Sequence, residues 1–491
     1  VSASPFRGQA RSVFVETWGC QMNVLDGRRF VGLLAREGYV EAASPEEADV
    51  ILLNTCSVRD KAEQKVYDRL GRLAKLKRER PGTVLGVCGC VAQQEGEGLL
   101  ERMPYVDFVL GTGRIEALPS ILRRIEEEDD RPCETGFDRD EVVYTPGAIA
   151  HAVKHRAAIT VIEGCNKNCT FCVVPRTRGR ERNRRLQDVV SEARRLLLQG
   201  ALEIELLGQT VNAFRDPGTG EDLADLLRAV GALPGLSRLR FVTSHPRNFS
   251  RRLVAAMAET PAVVAALHLP VQSGSDAVLH RMKRQYTRAE YLDLVAQLRV
   301  AIPGLALSTD IIVGFPGETE PDFASSLSLL EEVRFAGVFS FTYSPRPQTA
   351  ALRWQQDVTP REASDRLARL MELQQDVQRD LNRALEGRTL EVLVEGLDRK
   401  RRFSSGRTRC NRVVNIAGES ALPPGALVNV RIDRGFPNSL LGRTEEQAGK
   451  DEHEKEKERK EEDSANGCPS RRGAQPIPAA ERPFDISPNS F

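Results

Sequence analysis

The chain has no long apolar run. Stretches such as Leu305–Phe315 stop well short of the ~18 residues that a membrane span needs. Val1–Arg11 is short and polar with no apolar core, so it does not read as a signal peptide, and a cytoplasmic protein with no membrane partner is expected. Net charge is also scarce: 70 Lys+Arg against 69 Asp+Glu leave +1. That balance hides an asymmetry, because residues 445–491 carry 12 acidic and 8 basic side chains and leave the rest mildly basic. Ten cysteines in 491 residues are too few for a disulfide scaffold, and a cytosolic setting disfavours disulfides. No internal repeat is visible.

What is present is enough to fold several cores. The length implies about three domains, and 41% hydrophobic residues can fill them. Residues 12–125 alternate β-prone runs (Val13–Thr17, Val50–Asn54, Val84–Val87) with helical patterns, which predicts a parallel sheet covered by helices. The first helix is expected near Asn23, with Asp26 three residues on. The second is expected near Ser57, with Ala62, Val66, Leu70 and Leu73 on its apolar stripe. A second series spans 151–385, with strands expected at Ala158–Ile162, Leu202–Leu207, Leu239–Thr243, Ala265–Pro270, Leu305–Val313 and Gly337–Tyr343. Six units predict an incomplete (β/α) barrel, a complete one being the alternative. Residues 387–444 change to short strands with Gly and Pro turns, as in a small β-barrel, and 445–491 read as a charged, disordered tail. The fold class is therefore α/β with a C-terminal β-barrel.

The strongest local signal is Cys165-x3-Cys169-x2-Cys172, directly after an expected strand, with Gly164 to make the turn. Three thiolates on one loop can hold three irons of a cubane cluster and leave the fourth iron open. A structural zinc site is the bland alternative, but zinc prefers four ligands, and His151 and His155 precede the strand rather than follow the loop. Cys20, Cys56 and Cys90 each lie just past an expected strand. The strand ends of an open α/β sheet line one crevice, so these three can converge on a second cluster or can be ordinary buried cysteines. Cys88 shares a side with Cys90 if the strand stays extended, yet it reads as a small buried hydrophobe. Cys133, Cys410 and Cys468 receive no role.

Gln209, Ser244 and Gln272 fall at barrel strand ends, where side chains meet ligands. His245 follows one strand and reads as structural rather than as an acid or base. Six arginines (Arg176, Arg178, Arg180, Arg182, Arg184, Arg185) begin four residues after Cys172, a pattern suited to phosphate. A second basic run, Arg399, Lys400, Arg401, Arg402, Arg407, Arg409 and Arg412, includes Phe403 as a stacking platform and predicts a nucleic-acid face.

The string "EGCNKNCTFCVVPRTRGRE" resembles the radical S-adenosylmethionine (radical SAM) superfamily and, within it, the MiaB-type tRNA methylthiotransferases. "TWGCQMN", "LNTCSVRDKAE" and "VCGCVAQ" resemble that family's N-terminal motifs, and "SGRTRCNRVVNI" resembles the RNA-binding TRAM domain. The resemblance implies two 4Fe-4S clusters, at Cys165/Cys169/Cys172 and at Cys20/Cys56/Cys90. Its Gly-Cys-x-Ala-Gln pattern selects Cys90 over Cys88. S-adenosylmethionine is the implied cofactor, with Gln209, Ser244 and Gln272 as candidate contacts. The implied partners are tRNA, with Arg176, Arg178, Arg180, Arg401 and Arg402 as candidate contacts, and an electron donor. The implied reaction places a methylthio group on carbon 2 of N6-isopentenyladenosine beside the anticodon. Sister enzymes acting on threonylcarbamoyl-adenosine or on a ribosomal-protein aspartate, and a non-catalytic iron–sulfur RNA-binding protein, are the alternatives. The resemblance identifies no proton-transfer residue.

Overall fold

The computed structural model describes residues 11–57, 60–128, 130–137, 155–398, 403–418 and 421–445. The N-terminal region is a six-stranded parallel sheet in the order β2-β1-β3-β4-β5-β6: β1 Ser12–Trp18, β2 Val40–Glu41, β3 Val50–Thr55, β4 Val84–Gly89, β5 Phe108–Leu110 and β6 Cys133–Glu134. Its helices are α1 Gln21–Arg36, α2 Asp60–Glu79, α3 Cys90–Glu95, α4 Glu97–Arg102 and α5 Leu118–Glu128. β3 is buried along its whole length because both sheet faces are covered, as its unbroken apolar run requires. Val66, Leu70 and Leu73 of α2 pack in one of the two cores.

Six parallel strands follow: β7 Arg156–Thr160, then β10 Glu203–Leu207, β11 Arg238–Phe241, β12 Ala266–His268, β13 Ala306–Val313 and β14 Gly337–Thr342. They form two three-stranded sheets, β11-β10-β7 and β12-β13-β14, whose neighbouring strands meet through a Leu239–Val263 bridge. Among the described residues β14 does not pair back to β7, so the barrel is incomplete. Five of the six strands are shorter than the sequence suggests, β12 by three residues and the others by one, and two of the ends have a physical reason. Thr243 turns to a positive φ of 62° and ends β11, while Pro270, with no N–H to give, lies beyond β12. The N-terminal region packs on the first of these sheets: Met22 and Leu25 of α1 meet Leu207, Ala158 and Val242.

One short element has no sequence signature. β8 Ile162–Glu163 and β9 Arg182–Asn183 pair antiparallel and clasp the base of the cysteine loop, with the short helix α6 Val174–Thr177 inside it. The C-terminal region is a closed five-stranded barrel, β15-β16-β17-β19-β18, from β15 Thr389–Asp398 through β16 Phe403–Thr408, β17 Val413–Ala417, β18 Leu427–Gly435 and β19 Leu440–Thr444. Val392, Val394, Val414, Ile416, Val430, Ile432 and Leu440 form its core. A long helix, Pro360–Arg383, connects it to the (β/α) barrel. Among the described residues no helix is long and apolar enough to cross a membrane.

Candidate active site

The first helix starts at Gln21, two residues before the expected position. Cys20 is its cap: its backbone N–H and its thiol both donate to Asn23 Oδ1, at 3.4 and 3.2 Å. Asn23 is itself fully buried and donates to the carbonyl of Thr55 at 3.3 Å, beside Cys56. Gly19 leaves no room for a side chain there, since a Cβ would stand 2.7 Å from the Cβ of Cys56. Gly89 at φ +90° ends β4, so Cys90 opens α3 and leaves the line of the strand. Cys88 stays behind in the core with Leu52, Phe108 and Leu110, and burial pushes its thiol up.

Cys20, Cys56 and Cys90 therefore come together. Cys56 shares a side-chain hydrogen bond with each of the other two. Those bonds draw Cys90 and Cys20 down, helped by the charge of Arg178 and opposed by burial, and hold Cys56 up. Cys56 and Cys90 are buried, whereas Cys20 is open to solvent. Among the described residues no three His, Cys, Asp or Glu side chains close around a single ion, as a mononuclear zinc site requires. The donor set is thiol alone, beside a buried cation, which suits an iron–sulfur cluster.

The second triad is held by local chain. Gly164 makes its turn at φ +75° and donates its N–H to Gln209 Oε1. Glu181 accepts from Asn166 N–H at 3.1 Å and from its amide at 3.2 Å, which pins the loop tip to the returning chain. Cys165 Sγ lies 3.3 Å from Thr210 Oγ1 and accepts the Lys167 N–H at 3.4 Å. Cys169 Sγ accepts from Arg284 Nη1 at 3.4 Å. Burial, then the charge of Cys169, pushes Cys172 up to about 12. Phe171 sits edge-on to Phe315, which also meets Tyr343 and Trp354, so one side of the loop is walled by aromatic rings. Three thiols on one loop, with no carboxylate or imidazole among them, fit three irons of a cubane.

The other predicted contacts divide. Gln209 touches the loop, Ser244 is buried with its hydroxyl unpartnered among the described residues, and Gln272 is buried at φ +79°, four residues beyond β12 and bridged to Ile311 of β13. Thr243 and Gln272 put two non-glycine residues in the left-handed region at this end of the barrel, where strain often marks a working site. His245 is tied into the fold: its Nδ1 accepts from Arg247 N–H at 3.3 Å, and Asn212 bonds its backbone on both sides at 2.9 Å. Burial, followed by Arg284, Lys167 and Arg247, keeps its ring neutral.

The arginine run is corrected in part. Arg176, Arg180 and Arg185 are exposed, but Arg178, Arg182 and Arg184 turn inward to Asp26 at 2.7 Å, Glu163 at 2.9 Å and Glu192 at 2.7 Å. Arg178 is thus not free to meet a phosphate. The C-terminal run is corrected too. Arg409 donates to the carbonyl of Ser237 at 3.2 Å, Arg407 meets Glu395 at 3.1 Å and Arg412 meets Asn382, so all three are spent on packing between regions or within them. Phe403 is half-buried. Arg399, Lys400, Arg401, Arg402 and nearly all of the tail lie outside the described residues, as does His151. Arg284 is the residue that sequence reasoning missed, one basic side chain in a segment without a spacing signature.

Three family models match the chain: Uncharacterized protein family UPF0004 over residues 12–111, the Radical SAM superfamily over 159–330 and the TRAM domain over 383–444. Among curated proteins, the tRNA-2-methylthio-N(6)-dimethylallyladenosine synthase of Anaeromyxobacter dehalogenans is 50% identical over 443 residues, covering 88% of this chain and 94% of its own. The synthase of the same name from Geobacter metallireducens is 46% identical over 431 residues, 88% of this chain and 97% of its own. The chain belongs to this family. Among solved structures, the radical S-adenosylmethionine methyltransferase TsrM of Kitasatospora setae matches with a TM-score of 0.51 at 15% identity, over 70% of this chain and 75% of that one. That likeness concerns the fold alone. For a member of the synthase family, the two cysteine triads and the strand ends between them form the candidate active site.

Proposed function

We propose that the chain is a tRNA methylthiotransferase that places a methylthio group on carbon 2 of N6-isopentenyladenosine next to the anticodon. The observation that carries the reading is the convergence of Cys20, Cys56 and Cys90 from three separate strand ends, in a chain that also carries the three-cysteine loop of a radical SAM barrel. Carbon 2 of adenine bears no acidic hydrogen, so acid–base groups cannot readily exchange it and a radical cofactor is needed. Cys165, Cys169 and Cys172 would hold a four-iron cluster, whose chemistry when bound would be the one-electron reductive cleavage of S-adenosylmethionine. Cys20, Cys56 and Cys90 would hold a second cluster, which would serve sulfur delivery.

The chain's own residues do the rest. Arg284 donates to Cys169, while Thr210 and the Lys167 N–H flank Cys165, so the loop thiolates are oriented by fixed neighbours. Phe315, Tyr343 and Trp354 keep water from the Phe171 side of the loop. Gln209, Ser244 and Gln272 meet S-adenosylmethionine at the strand ends. A cavity of about 340 Å³ opens beside the loop between Gln93, Gln94 and Phe137 on one side and Arg176, Pro347 and Gln348 on the other. Arg176 on its lining and the exposed Arg180 meet tRNA phosphate, with Arg401 and Arg402 as further contacts. An external electron donor and a cytoplasmic setting complete the reading.

The test is an anaerobic assay of reconstituted protein with isopentenylated tRNA, read by mass spectrometry of the nucleosides. A methylthio product that disappears in Cys165→Ala is expected. Cleavage of S-adenosylmethionine with that tRNA untouched would transfer the reading to a sister substrate. No cleavage by a protein carrying both clusters would favour a non-catalytic RNA-binding protein.

A further inference from the structure

Arg178 leaves the barrel region at the end of α6 and enters the N-terminal region, where it is only 3% exposed. α6 packs on α3, the helix that Cys90 opens. Nη1 of Arg178 stands 2.7 Å from Asp26 Oδ2, yet neither of its terminal nitrogens makes a well-aligned hydrogen bond within the described residues, and neither does that Asp26 oxygen. Asp26 is also shared with Arg29 at 3.9 Å, and Arg29 continues to Glu163 at 3.4 Å, two residues before Cys165. One carboxylate thus faces two buried guanidinium groups. A buried cation is costly unless its charge and its donors are met; beyond Asp26 the charged groups that act on this one are Cys90, Cys20 and Glu163, and Cys90 opens the helix on which α6 packs while Cys20 caps the helix that carries Asp26.

We propose that Arg178 is a positioning residue for the second cluster, donating N–H groups to the sulfur of whatever Cys20, Cys56 and Cys90 hold and making that group easier to reduce. This rests on the reading that those cysteines bind an iron–sulfur cluster, but not on the tRNA substrate. Hydrogen bonds to sulfur and a nearby positive charge both raise the potential of such clusters. Asp26 opposes the effect by drawing the same charge toward itself. Arg178 and Asp26 therefore pull in opposite directions, and a residue that merely joined two domains would do neither.

The experiment uses the full chain with Cys165, Cys169 and Cys172 all changed to alanine, so that one cluster is read. Iron is counted, and the cluster is then titrated potentiometrically by electron paramagnetic resonance without tRNA or S-adenosylmethionine. Arg178→Gln is expected to lower the reduced-to-oxidised ratio at fixed potential at least tenfold, which is ~59 mV for a one-electron couple. Arg178→Lys, which keeps the charge but loses the fork, should shift it less. Asp26→Asn should shift it the other way. An unchanged ratio in Arg178→Gln, or a shift of the same sign in Asp26→Asn, would overturn the proposal while leaving the cluster reading intact. If Arg178→Gln takes up no iron, Asp26→Asn decides alone: a raised ratio supports the role and an unchanged one removes it. A parent variant without iron would overturn both.

Discussion

The two cysteine triads solve one problem in opposite ways. Cys165, Cys169 and Cys172 lie within eight residues, and the loop that carries them is folded by neighbours close in sequence, Gly164, Asn166 and Glu181. Cys20, Cys56 and Cys90 are spread over seventy-one residues and meet only because three parallel strands end at the same edge. Each triad has one buried arginine beside it. Arg284 is held in place by the Pro270 carbonyl and the Tyr286 hydroxyl, both at 2.9 Å, whereas Arg178 crosses from another region and shares a carboxylate. A site built by a loop takes the spacing of its ligands from one stretch of chain, although Thr210 and Arg284 reach it from elsewhere in the barrel. A site built by a sheet depends on every strand and on the neighbouring domain.

That contrast can be broken most forcefully at the loop. Cys169→Ala should abolish both 5′-deoxyadenosine formation and the methylthio product, and iron analysis should show the loss of one cluster with the other retained. Retained deoxyadenosine would mean that the loop is not where S-adenosylmethionine is cleaved. Arg284→Met, which removes the buried donor to Cys169 and keeps the bulk, should slow deoxyadenosine formation roughly 10–100-fold, the usual cost of losing a group that orients a metal ligand. The rate of the same assay without tRNA checks it. The smallest effect belongs to Cys88→Ala. It removes one sulfur from a core and should cost about 1 kcal/mol in denaturant titration, with iron content and product unchanged. Loss of iron there would move Cys88 into the sheet-built triad.

The two triads also differ in how much of them could be read beforehand. The loop is visible as spacing alone. The sheet-built triad is visible only after strands are assigned, and Cys90 is separated from Cys88 by Gly89, whose positive φ turns one cysteine out of the strand while the other stays in the core. Asn23 looked like a helix cap because its residue type favours caps. It is instead buried against Thr55, and Cys20 takes the cap. The arginine run was legible as charge but not as direction. Asp26 lies far off in sequence, Glu163 lies across the β8–β9 clasp, and Glu192 lies eight residues on in the helix Leu186–Leu198, so the direction of each arginine follows from the fold and not from the run itself. The same holds for Arg407 and Arg409: their bonds to Glu395 and to Ser237 exist only once the small barrel has closed and docked.

The central claim is that the triads do separate jobs, and Cys90→Ala tests it most directly. With reconstituted protein, S-adenosylmethionine, a reductant and isopentenylated tRNA, 5′-deoxyadenosine and methylthio nucleoside are measured in the same tube. Deoxyadenosine formed within a few-fold of the unaltered chain, with no methylthio product, is the expected result. Methylthio product at the unaltered level, or loss of both products from a protein that keeps the loop's iron, would contradict it.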